Sequence, residues 1–398
     1  MLLAIPYEGL EIHREEKLVY GRFLTPHAVL STSRHQGGYQ EGLEYLGNHQ
    51  SCEPAGHQRG LLAVTDPAGY QAQVLSAHGL PPDKCALLGT AANMRLLSVK
   101  SESFEELTVV AAITGGVESN AARAGDPAVG HEGPAGYRSL SAPKEPKSLE
   151  EAKDPYKGTI NILTFINRPL TAAALVRAIS LVTEAKTCAL GELGVNSRYS
   201  AQLASGTGTD QMGVAAKLIE GVKPLVGGGH HLKLGELLGR VTHDAAREVL
   251  IRQNGMTPDR QCSVKILLER FNERPDGRRR LSSLELVEMV GRFLPASAKE
   301  LLTNNYRGFF HDPWIVAATM AMTSSRDQFV WGVLPVLIWP EVMGAFAGQL
   351  AAAVSGRLDL VAHYAQVLSP SPSEALDDGR FLQLVARGLA LGLVDKWA

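Results

Sequence analysis

The chain has only four cysteines in 398 residues, Cys52, Cys85, Cys188 and Cys262, and no two of them form a CxxC pair. That spacing argues against a disulfide framework and against a thiolate zinc site. It fits a reducing compartment, and a cytoplasmic location is expected. One-signed charge is also missing. There are 39 basic and 41 acidic residues, a formal net charge of -2, and the densest basic run is Arg278-Arg279-Arg280. Nothing in this balance calls for nucleic acid or an anionic membrane surface. No GxGxxG follows a strand, and no GxxxxGK[ST], HExxH or GxSxG is present, so the nucleotide, zincin and serine-elbow readings lose their fingerprints. Residues 1–10 contain Pro6, Glu8 and Gly9 without a basic flank or a sufficient apolar core, which is not the pattern of a signal peptide.

What is present is ordinary globular material. Hydrophobic residues are 45% and charged residues 20%, and the length suits two domains, at most three. Residues 329–354 are apolar and long enough for a bilayer. Pro335 and Pro340 break that run and Glu341 and Gln349 polarise it, so it reads as buried helices and no membrane partner is expected.

Strand signals dominate residues 1–66. Leu10 to Arg14 and Lys17 to Tyr20 read as a hairpin across Glu15-Glu16. Residues 70–77 read as a helix closed by Gly79. Residues 106–113 read as a strand ending in Thr114-Gly115-Gly116, and residues 158–166 as another. Thr171 is placed as the N-cap of a long helix that runs to Leu193 and stops at Gly194. A further helix begins near Lys233 and carries Leu234, Leu237, Leu238, Val241 and Ala245 on one side. Residues 126–157, rich in Pro, Gly, Lys and Glu, read as a surface excursion. From about Thr257 the pattern is helical throughout. The expected fold is an α+β N-terminal domain with a mixed β-sheet and long helices, residues 1–250, followed by an all-α C-terminal domain, residues 257–398.

The chemistry concentrates at glycine corners: Gly37-Gly38, Gly115-Gly116, Gly206-Thr207-Gly208 and Gly227-Gly228-Gly229. Glycine there permits positive φ and lets a ligand approach the backbone. On the long helix, Leu175, Ile179, Val182, Ala189 and Leu193 make an apolar stripe, and helical spacing drops Lys186 into it. Such a lysine snorkels, pairs with a carboxylate, or serves a site. Asp210 and Glu118 are the candidate partners by motif. Glu184 lies about 200° around the helix from Lys186 and belongs to another face. His230-His231 follow a glycine corner and precede a helix, a position suited to acid–base work. His49 and Cys52 are close enough in sequence to raise a Cys–His nucleophile, weakly. Thr159 reads as a strand residue with a nucleophile as its alternative. No cofactor is evident, and no tight metal-ligand spacing is legible.

Six runs, in order, resemble the adenosylcobinamide amidohydrolase (CbiZ) family. They are Gly115-Gly116-Val117-Glu118-Ser119-Asn120-Ala121-Ala122-Arg123-Ala124-Gly125; Gly158-Thr159-Ile160-Asn161-Ile162; Thr183-Glu184-Ala185-Lys186-Thr187; Arg198-Tyr199-Ser200; Gly206-Thr207-Gly208-Thr209-Asp210; and His231-Leu232-Lys233-Leu234-Gly235-Glu236-Leu237-Leu238-Gly239. The resemblance covers roughly residues 10 to 250 and implies a corrinoid substrate. The implied reaction is hydrolysis of the amide joining the corrin propionate to aminopropanol, in corrinoid salvage. Roles are then assigned by chemistry: His231 as acid/base, Asp210 and Glu184 as its orienter or alternative base, Lys186 for developing negative charge, Asn161 and Asn120 as amide donors. Gly115, Gly116, Asn120, Arg123, Gly206, Thr207, Gly208 and Thr209 are the expected substrate contacts. The alternative reading is a non-catalytic corrinoid-binding or delivery protein. A homo-oligomer stays open.

Overall fold

A computed structural model describes residues 1–51, 62–63, 65–134, 136–140, 158–372 and 375–397. The chain divides into two units: Met1–Val195 with Ala204–Met256, and Asn196–Leu203 with Thr257–Ala398.

Unit 1 is built on two sheets. The first holds β1 (Leu2–Tyr7), β2 (Leu10–Glu15), β3 (Leu18–Phe23), β6 (Tyr45–Gln50) and β7 (Cys85–Thr90), in that spatial order. The second runs β5 (Gly38–Glu41), β4 (His27–Ser31), β15 (Gln211–Lys217), β13 (Ile160–Ile166), β9 (Leu107–Gly115), β8 (Ser98–Phe104). Only β6–β7 and β13–β15 pair in parallel; the other neighbours are antiparallel. A mixed sheet was expected, and these two parallel pairs make it so. The hairpin at Glu15-Glu16 forms with Glu16 at φ +43°.

The period-2 alternation of β13 decides the layering. Ile160, Ile162 and Ile166 face two helices, α2 (Ala172–Glu192) and α3 (Lys233–Asn254), in one core. Leu163 and Phe165 face the other way, into a second core shared with Leu10, Ile12, Val19 and Leu46 of the first sheet. The outer face of that sheet is covered by α1 (Pro67–Ala77), through Tyr70, Val74 and Leu75. The result is four layers: helix, sheet, sheet, helices. The sheets touch closely enough that a Cβ on Gly21 would meet the Phe165 ring at 2.4 Å.

Local signals set the helix ends. The Thr171 hydroxyl accepts from the Ala174 amide at 3.2 Å, and Gly194 takes φ +61° after the last turn of α2. Gly255 at φ +63° ends α3. The α1 helix starts earlier than expected, because the Asp66 carboxylate accepts from Gly69 and Pro67 sits at the first helical position. Within residues 126–157, β11 (Gly130–Gly133) and β12 (Gly136–Ser139) pair as a hairpin where only an irregular excursion was expected; residues 141–157 lie outside the described residues.

Unit 2 is helical, with α4 (Ser283–Gly291), α5 (Ala296–Phe310), α6 (Pro313–Val330), α7 (Trp339–Ser355), α8 (Val361–Leu368) and α9 (Asp378–Trp397) around one apolar core. Inside it Arg270 makes a two-pronged pair with Asp327, at 2.9 and 2.8 Å, with both side chains buried. Residues 336–355 are long and apolar enough to cross a membrane by length and composition alone, and 44% of that stretch is buried. The expectation that the run at 329–354 is interior is corrected in part. Trp331, Val333 and Leu337, between α6 and α7, are exposed, because Gly332 at φ +73° and Pro335 turn the chain outward there.

Candidate active site

The core between the two sheets is apolar along most of its length and turns polar at one end. Asn48, Thr114 and Asn161 each stand two residues from an apolar inter-sheet residue, respectively Leu46, Ala112 and Leu163. Period-2 geometry therefore puts all three on the same internal faces. They are at most 1% exposed and bond to one another across the layers. Asn48 Nδ2 donates to Thr114 Oγ1 at 2.7 Å, and Asn161 Nδ2 donates to Asn48 Oδ1 at 2.8 Å and to the Gly89 carbonyl at 2.9 Å. Asn161 Oδ1 accepts from the Gln211 amide at 3.2 Å, and Gln211 Oε1 accepts from the Gly89 amide at 2.8 Å. Both amide protons of Asn161 are thus committed inside the protein. The expectation that Asn161 would offer a donor to substrate is corrected: it bolts two sheets together.

The same end of the second sheet gathers the glycine corners. Strand β10 (Ala121–Ala122) pairs with β14 (Gly206–Thr207), so residues 115–125 and 206–210 lie side by side. Asn120 Nδ2 donates to the Gly158 carbonyl at 3.1 Å and to Thr209 Oγ1 at 3.3 Å, and the Asn120 carbonyl accepts from Gly208 at 3.2 Å. The Thr159 and Thr209 hydroxyls meet at 2.5 Å. Gly158, at φ +123°, lies so close to Gly116 that a Cβ would come within 2.7 Å of its carbonyl oxygen. Arg123 is exposed, and its amide donates to Asp126 at 2.7 Å.

Lys186 faces this cluster from α2. It is 5% exposed, and its ammonium donates to Asp210 Oδ2 at 2.5 Å. Glu118, the other candidate partner, is exposed. Asp210 takes three more donors: the Thr207 amide at 3.0 Å, the Thr207 hydroxyl at 2.6 Å and the Ile160 amide at 2.8 Å. These four donors occupy both of its carboxylate oxygens. Asp210 is the pin that ties the 206–210 loop to β13 and to α2. Gly206 is required here, since a Cβ would stand 2.5 Å from Asp210 Oδ2 and 2.7 Å from Lys186 Nζ. The ammonium has three protons, and among the described residues Asp210 is its one acceptor.

The histidine does not join them. Positions 184 and 186 are about 200° apart around the helix, and the structure keeps them so. Glu184 is exposed on the outer face of α2, where its carboxylate meets His230 Nε2 at 2.7 Å and Arg177 at 3.9 Å. His231 is exposed at the start of α3, and its neighbour His230 takes the Glu184 contact. The expected grouping of His231 with Glu184 and Asp210 is therefore corrected: the body of α2 separates Glu184 from Asp210. What sequence reasoning missed was Asn48, Thr114 and Gln211. The available signal was a polar residue ending an otherwise apolar alternation in β6, β9 and β13. His49, one residue on, points to the opposite face and its Nδ1 bonds the Tyr70 hydroxyl at 2.7 Å; Cys52 lies outside the described residues. Among the described residues no three His, Cys, Asp or Glu side chains stand together as a metal set.

A protein of Methanocaldococcus jannaschii, described as the uncharacterized protein MJ1613, is 36% identical over 243 residues, 60% of this chain and 88% of its own length. The crystal structure of the PH0078 protein from Pyrococcus horikoshii OT3 aligns with 72% of this chain and 93% of its own, at 12% identity and a TM-score of 0.30, a likeness too slight to carry an argument. The family model for adenosylcobinamide amidohydrolase matches residues 4–258, which takes in both glycine corners, Lys186, Asp210 and the polar layer between the sheets. The chain belongs to the adenosylcobinamide amidohydrolase (CbiZ) family.

Proposed function

We propose that the protein hydrolyses the amide between the corrin ring propionate and aminopropanol of adenosylcobinamide, releasing adenosylcobyric acid for cobamide salvage in the cytoplasm. The observation that carries this reading is the family match over residues 4–258. The chemistry of the site supports it. Water adds to the amide carbon, the carbonyl oxygen takes up negative charge, the C–N bond breaks, and a proton goes to the departing amine. A fixed cation in a dry setting stabilises such an oxyanion. Lys186 has that character: it is buried, held by Asp210, and has protons to spare. Ala124, Gly125, Gly208 and Thr209 are exposed beside this cluster, and we assign the corrinoid to that small-residue edge. Thr209 lies in this loop and its hydroxyl meets that of Thr159, and this pair is our candidate for passing the proton. His231, on the far side of α2, is no longer needed for that step.

The test is direct. Full-length protein incubated with adenosylcobinamide should yield adenosylcobyric acid and aminopropanol, identified by mass. Tight binding with no product would favour the carrier reading and overturn the proposal.

A further inference from the structure

Three glutamines at the polar end of the sheets share one arrangement. Gln50 ends β6, Gln211 opens β15 and Gln253 lies in the last turn of α3, all in unit 1. Each is half-buried. Each side-chain oxygen accepts a backbone amide from one short segment, residues 89–94. Gln211 Oε1 accepts from Gly89 at 2.8 Å, Gln253 Oε1 from Asn93 at 3.2 Å and Gln50 Oε1 from Met94 at 3.4 Å. Only the oxygen of a carboxamide accepts from N–H, so these contacts fix which way round each amide stands. Each Nε2 then carries two protons, and none of the three has an acceptor among the described residues. The neighbouring asparagines differ: Asn48, Asn120 and Asn161 all donate from Nδ2 to protein acceptors.

The three carboxamides belong to one neighbourhood. Asn93 and Met94 are consecutive, and the four steps from Gly89 to Asn93 reach at most about 14 Å when extended. The segment Gly89-Thr90-Ala91-Ala92-Asn93-Met94 has no charge, and its first four residues are small. It adjoins the cluster around Lys186: Gln211 follows Asp210, and a Cβ on Gly116 would stand 3.4 Å from Gln253 Cγ. The chemistry of the donors selects the ligand. A cation seeks oxygens, and these three oxygens are taken. An anion is matched by Lys or Arg, and none lies within 89–94. Of the cations that flank the glutamines in sequence, Arg252 pairs with Glu248 and Arg95 is exposed. A neutral carbonyl oxygen is the acceptor that suits such donors, and a carboxamide presents one. A corrinoid carries several carboxamide side chains around its ring edge. We propose that Gln50, Gln211 and Gln253 form a carboxamide-binding subsite, donating from Nε2 to ring-edge amides of the substrate while its reacting amide lies by Lys186. The subsite rests on the corrinoid reading above, and adds what orients a neutral macrocycle.

The experiment uses the full chain with glutamate at these positions. Glutamate keeps an oxygen on the 89–94 amides and turns the Nε2 donor into an acceptor, so it alters recognition and leaves the segment held. At neutral pH, Gln50→Glu, Gln211→Glu and Gln253→Glu should each raise KM for adenosylcobinamide about 10-fold or more. The kcat should change much less, and the melting temperature should stay. Unchanged KM in all three would overturn the proposal and leave the glutamines as props of the segment. A lowered KM would show that the ligand presents a donor, and would equally overturn it. The wild type supplies a second measure should a variant fail to fold. Cobyric acid, which retains the ring amides, should compete with adenosylcobinamide. Cobyrinic acid, whose ring amides are all carboxylates, should compete at least about 10-fold more weakly, because its charges find no partner there. Equal competition would overturn the proposal. Should the wild type bind adenosylcobinamide, followed in its visible spectrum, without forming product, the hydrolase reading falls alone and the same variants are scored by Kd.

Discussion

Asn161 is buried and Asp210 half-buried at one end of the second sheet, and both bind more inside the protein than a substrate-facing group would. Lys186 differs, because its bonds are not exhausted. Substitutions should separate these roles. Asn161→Ala leaves Asn48 Oδ1, the Gly89 carbonyl and the Gln211 amide without their partner. At about 1–3 kcal/mol for each stranded buried group, the variant should lose several kcal/mol of unfolding free energy in urea. Lys186→Met is expected to act on turnover instead. Asp210 keeps three of its four donors, and methionine fills the lysine stem. Adenosylcobinamide turnover should fall by at least about 100-fold with a modest drop in melting temperature. Wild-type turnover in that variant would remove the lysine from the site.

His27, in the same unit, governs a pH response. It is fully buried, its Nδ1–H donates to the Thr25 carbonyl at 2.7 Å, and its Nε2 accepts from the Tyr7 hydroxyl at 3.1 Å. Burial pushes its pKa down to about 4, against the Thr25 carbonyl, which favours the charged ring. The unfolded chain then binds the extra proton between about pH 6.5 and 4, so the contribution of His27 is complete above pH 6.5 and fades as the pH falls to 4. Melting temperature should drop through that window, and His27→Gln should flatten the drop. An unchanged pH profile in the variant would assign the loss to other groups.

At the scale of elements, the long helices carry their own punctuation. The Thr171 hydroxyl satisfies an otherwise orphaned amide at the start of α2, the helix that presents Lys186. Thr171→Ala should cost about 1 kcal/mol, read as a shift in the urea midpoint with an unchanged slope. The stripe of α2 is buried at Leu175, Val182, Ala189 and Leu193 and half-buried at Ile179, as its periodicity requires. Strands are less self-sufficient. A run such as β13 has apolar residues facing both ways because both of its faces are covered, and that coverage comes from segments far along the chain.

At the scale of the molecule, the division into units does not follow one cut in the sequence. Residues 196–203 belong with unit 2, where Asn196 Nδ2 donates to the Ile266 carbonyl at 2.7 Å and Arg198 pairs with Glu269 at 3.0 Å. One of the runs that carries the family resemblance, Arg198-Tyr199-Ser200, therefore sits in the helical unit. Ending the chain at residue 250 would also remove Gln253 and Asn254, whose side-chain oxygens accept from the Asn93 amide at 3.2 Å and the Val117 amide at 3.1 Å. We propose that a chain ended at Met256 retains turnover but melts below the full protein, because residues 196–203 lose their partners. A folded, inactive product of that cut would move part of the site into unit 2.

The amino-acid sequence by itself determined what local periodicity and end signals can determine. The α2 and α3 helices, the stop at Gly194, and the helical second half all follow from 3.6-residue spacing and glycine chemistry. So does the burial of Lys186, since a residue's face on a helix is set by its neighbours four positions away. Only the tertiary structure decided which carboxylate meets that lysine. Asp210 and Glu118 were equal by motif, and the β10–β14 pairing and the Ile160 amide brought Asp210 inward while Glu118 stayed in water. It also decided that Glu184 and His231 stand apart from Asp210, and that Asn48 meets Asn161 across 113 residues of chain. The physical reason is the same in each case. Alternation says which face of a strand is polar, but the partner across a layer depends on how two sheets stack and in what register. That is a property of contacts between distant segments, which no local pattern encodes.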